Sequence, residues 1–128
     1  MLLGACSIFT QHDPTYDLRA SFTPTEENIQ KVETILDSEA SKWNLTIQRD
    51  DRDHLEFITQ GKPAFYTALL DAERNPVLWV TNAGAGEAIA LVAIDFGEMP
   101  NAHFESMVIS IRGQVSEQLG IDFREVGV

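Results

Sequence analysis

Cysteine is nearly missing from this sequence. Cys6 is the single one in 128 residues, which excludes an internal disulfide and any zinc site built on several cysteines. Basic residues are also scarce: 9 lysines and arginines stand against 20 aspartates and glutamates, for a formal net charge of −11. Such a surface repels phosphate backbones and anionic headgroups, so nucleic acid is excluded as a partner and a bilayer surface gains nothing from charge. The same charge attracts basic proteins. No apolar run approaches the roughly 20 residues that a membrane-crossing helix needs.

Catalytic signatures are missing as well. No serine sits in a Gly-x-Ser-x-Gly elbow. His12, His54 and His103 lie far apart, without a partner at zinc-ligand spacing, and read as ordinary surface histidines. "DDRD" at 50–53 lacks the glycine and closing glutamate of a calcium loop and reads as a hairpin tip. "NAGAGEA" at 82–88 holds two glycines but no lysine, and it leads into a strand. No helix N-terminus would face a phosphate there. Asp71, Glu73, Glu87, Asp95 and Glu98 could converge as an acid–base pair, but nothing in their spacing sets the separation such chemistry requires. Asp95 stands out because it closes an apolar run. No cofactor and no metal are implied, and the chain reads as a non-enzyme.

What is present is a pattern. With 44% hydrophobic and 23% charged residues, the chain suits one domain with its own core. Residues 7–17 show no periodicity and read as a tether. Leu18, Ala20 and Phe22 alternate as in a short strand. Thr23-Pro24-Thr25-Glu26 has capping-box form, with Thr23 as the N-cap, and opens a helix over 24–42. Ile29, Val32, Leu36, Ala40 and Trp43 form its apolar stripe. Five strand-like segments follow, at 43–48, 55–59, 64–70, 77–81 and 88–96, joined by short turns that imply antiparallel hairpins. A second helix is predicted over 101–119. Its stripe is Phe104, Val108, Ile111, Val115 and Leu119, and Gly120 is its stop. Phe123 to Val126 can add a last short strand. The predicted fold is an α+β two-layer sandwich over 18–128, in which a five-stranded antiparallel meander carries two amphipathic helices on one face.

Two surfaces suit a partner. Glu26, Glu27, Glu33 and Asp37 form an acidic edge on the first helix that would steer a basic protein. Ala102, Ser106, Ile109, Gly113 and Ser116 form an uncharged back on the second helix. That back suits packing against another chain, a second copy, or the first helix.

Leu3-Gly4-Ala5-Cys6 resembles the lipobox of bacterial lipoproteins: a leucine three before the cysteine, two small residues, then the cysteine. The resemblance covers these four residues and concerns processing alone. It implies that residues 1–6 are the remnant of a signal and its cleavage site, and that Cys6 becomes a lipid-modified N-terminus. Ser7, in place of the aspartate that retains such proteins in the inner membrane, implies sorting to the outer membrane. The expected function is therefore that of a non-catalytic, periplasm-facing lipoprotein that binds another protein and meets the membrane only through lipid on Cys6. The alternatives are an immunity-type inhibitor of a cationic toxin, a component of a cell-envelope or secretion assembly, a small carboxylate-based enzyme, and a cytoplasmic domain with an incidental cysteine. Expressed in a bacterial host behind a complete signal, the protein should carry a lipid mass on Cys6 by mass spectrometry, and Cys6→Ser should move it from membranes to the soluble fraction. An unmodified, soluble wild type would contradict the lipobox.

Overall fold

A computed structural model describes residues 15–49, 65–83, 88–95 and 99–126. Cys6, most of the stretch read as a tether, the expected strand at 55–59 and the "DDRD" tip lie outside them. The elements are β1 (Tyr16–Ser21), α1 (Glu26–Trp43), β2 (Thr46–Arg49), β3 (Tyr66–Leu70), β4 (Pro76–Ala83), β5 (Ala88–Ala93), α2 (Asn101–Leu119) and β6 (Arg124–Glu125). This is the predicted α+β class: an open antiparallel sheet with two helices packed on it.

The sheet has six strands in the order β2-β3-β4-β5-β1-β6, with every neighbouring pair antiparallel. The run from β2 to β5 is a meander of four strands, and β2 pairs directly with β3, whereas the five-stranded meander expected from the sequence placed the 55–59 segment between them. A second departure is at the other end, where β1 inserts between β5 and β6. Strand alternation makes β1 parallel to β2, and β5 parallel to β6. Each helix therefore closes a parallel crossover, α1 from β1 to β2 and α2 from β5 to β6. The two crossovers run in opposite directions across the sheet, from strands of opposite sense. Crossovers of one hand, the hand that strand twist favours, then put both helices on the same face.

Local chemistry sets the element ends. The N-cap of α1 is Thr25, not Thr23: Thr25 is extended (φ −87°, ψ 159°) and its hydroxyl accepts from the Asn28 amide at 3.1 Å. An extended Thr23 before Pro24 would suit an N-cap equally well, but the helix begins two residues on, where the Asn28 amide reaches the Thr25 hydroxyl. The Thr23 carbonyl instead accepts from the Asn28 side chain at 2.8 Å. At the other end Asn44 adopts the left-handed region (φ 59°), and the Leu45 amide donates to the Ala40 carbonyl at 2.8 Å, a Schellman closure. Trp43 thus ends the helix, and the strand expected from residue 43 begins at Thr46. Gly120 (φ 67°) stops α2 as its sequence predicts. β1 begins at Tyr16, inside the stretch read as a tether. There Tyr16 packs on Phe104, with ring centroids 6.1 Å apart, and donates to Glu105. Burial first, then the Glu105 charge, hold the Tyr16 phenol above its ordinary ionisation range, so it remains a donor.

The core lies between the helices and the near face of the sheet. Register places Leu18, Leu91, Val80 and Thr67 in one row across it, and Ala93, Leu78 and Leu69 in the next. Ile29, Val32, Leu36 and Ala40 close it from α1; Phe104, Val108, Ile111 and Val115 close it from α2. Met107, expected beside the α2 stripe, is also fully buried. Trp79, half-buried, stands on the opposite face with Val92 and Ala68.

Thr67 is out of keeping with its row: it is fully buried, and its hydroxyl has no hydrogen-bond partner among the described residues. A buried unpaired hydroxyl costs about 1–3 kcal/mol, so Thr67→Val should stabilise the domain by about 1 kcal/mol. Calorimetry should show a melting temperature higher by several degrees.

Candidate functional site

The two helices lie antiparallel. The Trp43 end of α1 meets the start of α2, with the Trp43 and His103 rings 5.2 Å apart. Glu27, Lys31 and Thr34 share a surface hollow with Gln118 at the far end. Between these contacts stands Glu39, 3% exposed. Its Oε1 accepts from the Trp43 indole N–H at 3.0 Å; its Oε2 accepts from the Ser110 hydroxyl at 2.8 Å and the Gln114 amide at 3.0 Å. Gln114 also donates to Ser110 at 3.0 Å. Three donors satisfy both oxygens of this carboxylate, which thereby joins the two helices.

Sequence reasoning missed Glu39. It falls between Ile35 and Trp43 at four-residue spacing, on the buried side of α1, but a glutamate there reads as polar face. The available signal lay on the other helix: Ser110 and Gln114 flank the apolar stripe without charge, which suits a buried acceptor opposite.

At the Trp43 end the helices and the sheet leave a cleft of about 360 Å³. Trp43, Asn44 and Leu45 line it from the end of α1, Met99, Pro100 and His103 from the start of α2, and Asp71, Ala72 and Glu73 from the β3–β4 turn. The turn is built by Asp71, whose Oδ1 accepts the amides of Glu73 and Asn75, both at 2.9 Å; Arg74 takes the left-handed φ of 66° that the turn requires. Trp43 carries the Lys42 ammonium 5.2 Å from its ring centroid. Here Asp71 and Glu73, which the sequence left in one turn, meet His103, which it left near a helix start. Asp95 is buried at the end of the β5 run, while Glu87 and Glu98 lie outside the described residues. Among the described residues no three His, Cys, Asp or Glu side chains form a metal-holding group.

The predicted partner surfaces fare differently. On the acidic edge, Glu26 and Glu27 are exposed in the first turn of α1, where they complement the helix dipole, and Glu27 pairs with Lys31 at 3.7 Å. Glu33 and Asp37 are both bound by Arg49 of β2, at 3.6 and 2.9 Å. Arg49 therefore meets two of the four acids, and its single charge offsets one of them. On α2, Ala102, Ser106 and Gly113 are exposed, and Ile109 is 63% exposed. A Cβ added at Gly113 would meet nothing within 4 Å. This back does not face α1, whose contact to α2 runs through Ser110 and Gln114. Of the three uses open to it, packing against the first helix is ruled out by the structure.

Glu39→Ala should destabilise the domain by about 2 kcal/mol, the scale of hydrogen bonds to an ionised group. Chemical denaturation should show a lower midpoint. Trp43 emission in the native state should also shift to the red as its indole N–H turns to water. An unchanged midpoint would mean that the helices pack without the carboxylate.

No protein-family model matches this chain, and neither does any curated protein or solved structure.

Proposed function

We propose that the domain is a non-catalytic protein-binding module and that the outer face of α2 is its docking surface. The observation that supports this reading is Ile109: among the described residues it is the exposed large hydrophobic side chain. It lies in a stripe (Ala102, Ser106, Ile109, Gly113 and Ser116) whose spacing of four, three, four and three residues matches the seam by which one helix packs along another. Small residues around one branched apolar knob let a second backbone approach closely. The three donors that hold Glu39 speak against its use as an acid or base. The charge of −11 favours a basic partner over a second copy, although the stripe itself would accept either. We also propose an outer-membrane, periplasm-facing location, with lipid on Cys6 as the membrane contact, on the support of the Leu3–Cys6 pattern.

A photo-crosslinking residue at Ser106 should trap an adduct in cells, whose mass distinguishes a second copy from another protein. Ile109→Asp should abolish that adduct while changing stability by no more than about 0.5 kcal/mol, because the side chain stands in water. A wild type that forms no adduct, or an adduct indifferent to Ile109→Asp, would remove this face as the docking surface.

A further inference from the structure

We propose that the cleft at the Trp43 end of the helix pair receives a lysine or arginine side chain presented by a partner protein. The proposal rests on the protein-binding reading and adds a second, charged contact to it. Trp43, Leu45 and Met99 supply an apolar floor on which an aliphatic stem can lie. Asp71 and Glu73 supply the charge at the rim, and no lysine or arginine lines the cleft. The Lys42 ammonium already stands 5.2 Å from the Trp43 ring centroid, so an incoming positive head is held by the carboxylates rather than by that ring. The start of α2 carries the positive end of its dipole on the opposite wall and has no acidic residue in its first turn. The incoming cation is thereby directed to the β3–β4 turn, and an anion gains nothing at the carboxylate rim. The net charge of −11 steers a basic segment toward the domain from a distance.

The test uses the full chain and an acetylated, amidated peptide of alternating leucine and arginine. The chain has two tryptophans, and Trp79 lies on the far face of the sheet, so its indole N–H resonance is an internal control. Peptide should move the Trp43 indole resonance and the His103 ring protons and leave Trp79 in place. Asp71→Asn with Glu73→Gln should weaken binding about fivefold at low salt, the scale of two exposed ion pairs. Asparagine keeps an oxygen for the turn amides, so the melting temperature should hold. The Ile109→Asp variant should bind the peptide as the wild type does. A Trp43 resonance that does not move, or a double variant of unchanged affinity, would overturn the proposal. So would N-acetylarginine amide binding as tightly as the peptide, which would make the cleft a small-cation site. If the peptide fails while the Ser106 adduct still forms and still needs Ile109, the cleft falls and the protein-binding reading stands.

Discussion

The Glu39 carboxylate is the contact that organises the helical layer. A glutamate 3% exposed would be costly to bury alone. Here a tryptophan indole on its own helix and a serine and glutamine on the next satisfy it. Apolar packing is tolerant of small slides between helices; a carboxylate that must meet three donors is not. The bond therefore sets how far along α1 the second helix lies. That offset decides which side chains of α2 face water and which residues meet at the helix ends. Both surfaces given a function depend on it. Ile109 is exposed because Ser110 and Gln114 turn toward α1, and the cleft exists because Trp43, held by Glu39, stands against His103 rather than further along.

Topology makes this contact possible. Two crossovers of one hand, running in opposite directions over a single sheet, bring α1 and α2 onto one face and lay them antiparallel. The insertion of β1 beside β5 is essential to that arrangement. Were β1 beside β2 instead, the alternation of the sheet would make the two antiparallel, and α1 would no longer close a parallel crossover. The short β6 pairs with β1, and the Val126 amide donates to the Asp17 carbonyl at 2.8 Å, tying the end of the described chain to its start.

Much of the scaffold is legible from local pattern. The span of α2, its stripe, its Gly120 stop and the Asp71–Asn75 turn all follow from spacing and turn chemistry that act within a few residues. The α1 cap shows where such reading slips: two threonines compete for one role, and the Asn28 amide bonds the hydroxyl of the second while the Asn28 side chain bonds the carbonyl of the first. The uncharged back of α2 was visible as an anomaly, since an ordinary exposed helix face carries more charge, but its neighbour was not.

What the sequence by itself determined is the inventory: an acidic α+β chain with two amphipathic helices and an antiparallel sheet. Periodicity and turn residues are short-range signals, and they suffice for elements and class. Only the tertiary structure decided which elements are neighbours. It inserted β1 between β5 and β6, turned Glu39 inward and split the acidic edge with Arg49. It also brought Trp43, Asp71, Glu73 and His103 to one cleft. Those outcomes depend on contacts between residues tens of positions apart, where a charged side chain reads as surface until its partners on another element are in place.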